Sequence, residues 1–279
     1  DVLEQLEIPF EVLPEDAGKL AAVFQRARSH LDTRGRPYAL LVPAGTFAPE
    51  PAPRAAPAVR ERAASRVERR AAQHGEARPT RAEALARIVA ATPLGSTALI
   101  ATTGYASREL CALEDRPNHL YMVGSMGCAS ALGLGLARAR PDLRVIVIDG
   151  DGAVLMRLGN LAAVGALAGA NLFHIVLDNQ MHESTGGQAT LSAGVALADV
   201  ALACGYARAL EGDDLGVIDA LLGAPPHEGP SFARLRIRPG TLHGLPRPAL
   251  SPEQVRARFS SHLLSSGGSA RTAVAEAHT

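Results

Sequence analysis

Asp151, set between Gly150 and Gly152, and Asn179 stand at the two ends of one long apolar segment, "GDGAVLMRLGNLAAVGALAGANLFHIVLDN". A carboxylate and an amide are hard oxygen donors. Magnesium takes near-octahedral oxygen coordination at about 2.0 to 2.1 Å and keeps only a few protein ligands, leaving the rest to phosphates and water. Glycines beside the acid let the backbone approach a phosphate, and a helix opening at Ala153 turns its amides and positive dipole end toward an anion. The chemistry expected is capture of a diphosphate through a divalent ion. An acid between glycines is on its own more often a turn than a metal site, so the reading depends on the second donor arriving at the same place.

Between the two donors the sequence reads as one helix and one strand. A helix of about 15 residues travels back about 22 Å, and a strand of about seven residues returns about 23 Å. The displacements nearly cancel. Both donors are therefore expected at the carboxyl edge of one sheet, on adjacent strands, where open α/β folds place their ligands. The surrounding pattern supplies such a sheet: helix "RAEALARIVAA", strand "TALIATT", helix "ASRELCAL", strand "HLYMVGS", helix "CASALGLGLARA", strand "LRVIVIDG", helix "VLMRLGNLAAVGALAG" and strand "NLFHIVLDN". After the irregular "QMHESTGGQATLSAG" come helix "VALADVALACG", strand "YARAL", helix "DLGVIDALLGA" and strand "PSFARLRI". Continuous apolar strands alternating with helices predict an α/β domain, a parallel sheet covered by helices on both faces, over residues 81–240.

Upstream, "IPFEVLP" and "PYALLVPAG" read as strands around a helix that places Leu20, Val23, Phe24, Ala27 and Leu31 on one face. One helix and two strands cannot make a covered parallel sheet, so residues 1–47 are expected to be the remnant of a second α/β domain. The chain begins at Asp1 in mid-pattern, from which a missing upstream segment is expected. Residues 48–80 are rich in Pro, Ala, Arg and Glu and read as a linker, with "VRERAASRVERRAAQH" as a solvated helix inside it. Its arginines lack aromatic neighbours and alternate with glutamates, which argues against a nucleic-acid patch. Residues 241–279 read as a tail with one amphipathic segment after "SPEQV" and a frayed end.

Lys+Arg and Asp+Glu both number 28, so no net charge draws the chain to nucleic acid or an anionic membrane. Partners are expected to be small molecules or other subunits. No apolar run reaches the roughly 18 residues of a membrane span. Cys111, Cys128 and Cys204 are odd in number and set among apolar residues, which suits buried free thiols and a cytoplasmic location.

Gly-Asp-Gly followed by an apolar return to Asn resembles the binding motif of thiamine diphosphate-dependent enzymes. The resemblance implies that Asp151, Asn179 and the carbonyl of Met181 hold Mg2+, and that Gly150, Gly152 and Ala153 meet the diphosphate. The family commonly carries a second Asn before the last one, where this chain has Asp178. "VGSMGCASALGLGLA" is similar to the family segment in which a glycine carbonyl receives the aminopyrimidine and an apolar residue wedges between the cofactor's rings; Gly124 and Met126 fall there. "TTGYAS" looks like a diphosphate-contacting loop, with Thr103 and Gly104 as candidates.

Within the family, "TTGYASRELCALEDRPNHLYMVGSMGCASALGLGLA" and "DNQMHESTGGQAT" are most similar to decarboxylases of 2-oxo acids that carry a tetrahedral anion. The implied reaction is decarboxylation of 3-phosphonopyruvate to phosphonoacetaldehyde, in phosphonate natural-product biosynthesis, with 3-sulfopyruvate as the alternative substrate. The loop of His182, Glu183, Ser184 and Thr185 is expected beside the diphosphate, where a hydroxyl or imidazole could orient the substrate or relay a proton, and Gly186-Gly187 would let it close. His182 is equally readable as packing, His174 reads as a satisfied core residue, and Arg108 is either a phosphonate partner or an exposed helix arginine. The family's activating glutamate belongs to a pyrimidine-binding domain, and no residue here can be assigned to it. A homo-oligomer, or pairing with a pyrimidine-domain polypeptide, is implied. Two rivals stand: a dinucleotide-binding dehydrogenase, for which no Gly-x-Gly-x-x-Gly follows a strand, and a non-catalytic subunit that keeps the cofactor domain.

Overall fold

The computed structural model describes residues 2–48, 66–70, 77–225 and 228–266. Two compact units divide the chain, Asp1–Pro57 and Ala58–Thr279. In the first, α1 (Val2–Gln5) precedes β1 (Phe10–Val12), α2 (Leu20–Arg34) and β2 (Ala39–Leu41), and β1 pairs in parallel with β2. Asp16 caps the turn before α2, and Gly35 ends the helix in the left-handed region. Of the face read from sequence, only Val23 and Ala27 are buried; Phe24 and Leu31 remain exposed, since a two-stranded ribbon covers only a narrow stripe of the helix. Glu11 accepts hydrogen bonds from Arg26 and Tyr38, which hold its carboxyl well below the usual range, at about 2.

The second unit opens with β3 (Glu68–Arg70) and α3 (Arg81–Ala90), then β4 (Thr97–Ala101), α4 (Tyr105–Leu113), β5 (His119–Tyr121) and α5 (Ala129–Ala139). It continues through β6 (Arg144–Gly150), α6 (Asp151–Met156), α7 (Asn160–Leu167) and β7 (Leu172–Asp178), then a small hairpin of β8 (Met181–His182) and β9 (Gln188–Ala189). Next come α8 (Leu197–Ala203), β10 (Arg208–Gly212), α9 (Gly216–Leu222), β11 (Ser231–Arg236) and α10 (Pro252–Ser265). Seven parallel strands form one sheet in the order β3-β10-β11-β7-β6-β4-β5.

Alternation along the strands splits the core in two. Leu99, Ile146, Ile148 and Ile175 meet Leu85 and Ile88 of α3, Leu110 of α4 and Ile218 of α9; Ile100, Val145, Val147 and Val176 meet α5, Val164 of α7, Ala201 of α8 and Phe259 of α10. Helices thus cover both faces, as continuous apolar strands require.

Three local expectations are corrected. The helix read over 154–169 is two helices, because at Arg157–Gly159 the loop before α5 packs in and Asn160 donates to the Gly127 carbonyl at 2.9 Å. The first of these opens at Asp151 rather than Ala153. In the stretch read as a solvated linker helix, Glu68–Arg70 is instead an edge strand on β10, where backbone pairing and the Arg208–Glu68 ion pair outweigh helical propensity. The rest of that stretch, 59–65 and 71–74, lies outside the described residues, as does the end of the tail, 267–279. The three cysteines are free but only partly buried.

Candidate active site

Gly150 ends β6 and Leu177 faces it on β7 in register, so Asp151 and Asn179 leave adjacent strands at the same carboxyl edge. Both line one open cleft, together with Thr103, Met126, Gly150, Gly152, Ala153, Met181, His182 and Ser184. Asp151 is 2% exposed and Asn179 7%. Burial pushes the Asp151 carboxyl above the usual range, with the nearby Asp178 charge adding to the rise and the Thr190 and Ser192 hydroxyls opposing it. Thr190 donates to Asp151 Oδ2, and its backbone N–H reaches the Gln180 carbonyl at 2.9 Å, tying the loop after β7 to the acid.

The loop that carries the Met181 carbonyl turns sharply. Gln180 has φ 62°, held because its N–H donates to Asp178 Oδ1 at 3.0 Å and the Met181 N–H donates to Asn179 Oδ1 at 3.1 Å. Ser125, between Gly124 and Met126, has φ 47°. Two non-glycine residues in the left-handed region thus flank one cleft, a conformation that surroundings must enforce. Gly152 is required sterically, because a Cβ there would come within 2.4 Å of the His182 ring. Gly104, at φ 97°, begins α4 and would carry a Cβ 3.2 Å from Ser184 Oγ, so the "TTGYAS" turn and the His182–Thr185 loop meet.

Three residues named from sequence lie outside the lining of the cleft. Gly104 stands behind Ser184. Gly124, at φ 69°, has open space where a side chain would project. Thr185 is exposed, and its hydroxyl donates to the His182 carbonyl at 3.3 Å. Arg108 donates to the carbonyls of Leu245 and Pro246 and lies 5.4 Å from the Tyr105 ring centroid.

Behind the cleft run two buried networks, only one of which had a sequence signal. His174 is fully buried with its ring nitrogens on Tyr206 and Asp149, each at 3.0 Å, and so is a satisfied core residue. Asp178 receives the Ser192 hydroxyl at 2.9 Å and Arg234 Nε at 2.7 Å, and Arg234 also reaches Glu211 at 3.3 Å. Arg234, Thr190 and Ser192 escape sequence reading because they join the site only through strand order and loop return.

The donor chemistry fits a hard divalent cation. Asp149 Oδ1 is buried with no hydrogen-bond partner among the described residues, and Asp149 lines the same cleft as the buried Asp151. Among the described residues no three His, Cys, Asp or Glu side chains gather as a metal cluster. An ion here would rest on carboxylate, amide and carbonyl oxygens and leave positions for phosphate oxygens, which suits magnesium rather than zinc.

Comparison with known proteins agrees with this chemistry. The family described as thiamine pyrophosphate enzyme, C-terminal TPP binding domain, matches residues 102–232. Phosphonopyruvate decarboxylase of Streptomyces viridochromogenes is 45% identical over 267 residues, 93% of this chain and 64% of that protein, and the enzyme of Streptomyces hygroscopicus has the same identity and coverage. Sulfopyruvate decarboxylase subunit beta of Methanothermobacter thermautotrophicus is 39% identical over 179 residues, 64% of this chain and 92% of that subunit. The chain thus spans less than two thirds of the phosphonopyruvate decarboxylases but nearly the whole of the sulfopyruvate subunit. Matching the cofactor-domain family over residues 102–232 and covering 92% of the sulfopyruvate subunit at 39% identity, this chain belongs to the thiamine diphosphate enzyme family, in the group that holds the phosphonopyruvate and sulfopyruvate decarboxylases.

Proposed function

We propose that this chain is the diphosphate-binding part of a cytoplasmic decarboxylase that converts 3-phosphonopyruvate to phosphonoacetaldehyde and carbon dioxide, in phosphonate natural-product biosynthesis. The observation that carries the reading is the 45% identity to phosphonopyruvate decarboxylases over 93% of the chain, a span that includes the residues lining the cleft. When bound, thiamine diphosphate supplies the electron sink that accepts the pair released as carbon dioxide leaves. Asp151, Asn179 and the Met181 carbonyl would hold Mg2+. Thr103, Gly150, Gly152 and Ala153 would cradle the diphosphate, with Gly104 shaping the turn that presents Thr103, Gly124 would accept a hydrogen bond from the pyrimidine, and Met126 would wedge between the rings. His182 and Ser184 would orient the substrate and hold a proton beside it, with Thr185 bracing the loop through the His182 carbonyl.

Pairing with a pyrimidine-domain polypeptide is part of the proposal, supported by relatives whose own names call them beta subunits; a homo-oligomer is the other arrangement. A 3-sulfopyruvate reading is kept because the match to the sulfopyruvate subunit covers 92% of its length. Calorimetric titration of the chain with thiamine diphosphate and magnesium tests the cofactor site. Asp151→Asn and Asn179→Ala are each expected to weaken magnesium-dependent binding by at least about a hundredfold, with NAD binding to none. Equal binding by the variants would sink the site. Turnover of 3-phosphonopyruvate against 3-sulfopyruvate, by the chain combined with its pyrimidine-domain partner, then decides the substrate.

A further inference from the structure

Arg81 occupies the first turn of α3, behind the Thr80 cap, and lines the cleft although it is only 6% exposed. A buried cation at a helix amino end works against the macrodipole. The carboxylates of Glu109 and Glu183 hold it there. Arg81 Nη1 donates to Glu109 Oε1 at 2.9 Å and to the Gly240 carbonyl at 3.3 Å, and Nη2 donates to Glu183 Oε2. Its guanidinium also stands 5.7 Å from the Tyr105 ring centroid.

The two carboxylates differ. Glu109 is 1% exposed, sits inside α4 and also accepts from the Thr241 hydroxyl at 2.6 Å, so it is a fixed partner. Glu183 belongs to the short turn Glu183–Thr185, directly before Gly186 and Gly187, both at positive φ, and its side chain is 13% exposed. It also accepts from the Gly240 N–H. One guanidinium facing two carboxylates leaves a surplus negative charge beside the cleft. An anion arriving while Glu183 is in place is repelled; one that takes the place of Glu183 on Arg81 finds a forked donor suited to carboxylate and phosphate oxygens alike.

We propose that Arg81 is the recognition residue for the anionic headgroup of the substrate, and that Glu183 occupies its outer N–H groups until the substrate displaces it. The proposal rests on the reading of the chain as a decarboxylase of an anionic 2-oxo acid. It assigns headgroup selection to a buried arginine that is neither a magnesium ligand nor part of the diphosphate cradle.

The test is calorimetric titration of the magnesium- and thiamine diphosphate-loaded chain with 3-phosphonopropionate, which lacks the keto oxygen, and with 3-sulfopropionate and succinate. Glu183→Gln removes the competing charge and is expected to tighten binding of the phosphonate by about tenfold or more, while Arg81→Gln weakens it by at least about tenfold and Arg81→Lys falls between. Affinity for thiamine diphosphate should stay within about twofold in all three. In turnover, Arg81→Lys should raise KM more than it lowers kcat, a split that a merely structural arginine would not give. Arg81→Gln can fail to fold, whereas Glu183→Gln predicts a gain that misfolding cannot imitate. If no anion responds to either residue, or Glu183→Gln weakens binding, or thiamine diphosphate affinity follows Arg81 instead, the proposal is overturned. Succinate responding while the phosphonate does not would keep the role of Arg81 and sink the phosphonate reading of the function.

Discussion

Asp178 stands where thiamine diphosphate enzymes commonly carry a second asparagine, and its charge is what makes Arg234 necessary. A carboxylate buried between β7 and the Ser192 turn needs a counter-ion, and Arg236 of β11 lies opposite Asp178 in register, which brings Arg234 two residues back onto the same network. Arg234 serves Glu211 and the carbonyls of Ser192 and Val195 as well. Arg234→Leu leaves two buried acids short of a partner and is expected to cost about 3 to 5 kcal/mol, whereas Asp178→Asn keeps Arg234 on Glu211 and should cost about 1 to 2 kcal/mol. A double-mutant cycle by urea unfolding should show coupling above about 1 kcal/mol, and strict additivity would mean the pair is not a unit. That Asp151 and Asn179 meet at one sheet edge was legible from sequence because the helix and strand between them carry the chain out and back. Arg234 and Arg81 were not, since any surface arginine looks alike until the register is known, and Gln180 and Ser125 carry no residue-type mark of their left-handed backbone.

The same contrast holds for whole elements. β4, β6 and β7 were legible as long apolar runs between turn residues, and the prediction of adjacent donors follows from their pairing alone. β3 was not: three charged residues with good helical propensity form an edge strand whose side chains stay in solvent, which is how edges are commonly protected. The division between α6 and α7 also lacks a period signal, because the residues on both sides are apolar all round and the interruption comes from the loop before α5. Asn160 is the contact that fixes this interruption, its amide on the Gly127 carbonyl next to Met126. Asn160→Ala should therefore cost about 1 kcal/mol in urea unfolding and weaken thiamine diphosphate a few-fold by loosening the segment that presents Met126. Loss of stability with unchanged cofactor affinity would show that the break is only a packing detail.

At the scale of the molecule, equal numbers of acidic and basic groups leave no net field, so pH acts through individual buried sites. His119 is the clearest of them. It lies fully buried in β5, beside the cluster in which the Tyr121 hydroxyl donates to Asp115 at 2.7 Å and Arg258 of α10 pairs with the same carboxylate at 2.6 Å. Burial, with the Arg116 charge adding to it, pushes the His119 imidazole down from 6.5 to about 4. The folded chain therefore holds it neutral, while the unfolded chain takes up its proton as soon as pH falls through about 6.5. Its contribution is fully present above that value, declines as pH falls, and is gone once the folded form protonates near 4. The loss across the window is on the order of 3 kcal/mol, a large share of the roughly 5 to 15 kcal/mol that holds a typical domain. Asp115 is shifted below its ordinary carboxylate range by the same Arg258 pair, so its own contribution declines only as pH falls into the ordinary carboxylate range, at the acid end of this window. Urea unfolding at pH 7, 5.5 and 4.5 should show a steady fall for the natural chain and a flatter profile for His119→Asn. Parallel profiles for the two proteins would place the acid sensitivity elsewhere and remove His119 as the site through which pH loosens the junction of β5 and α10.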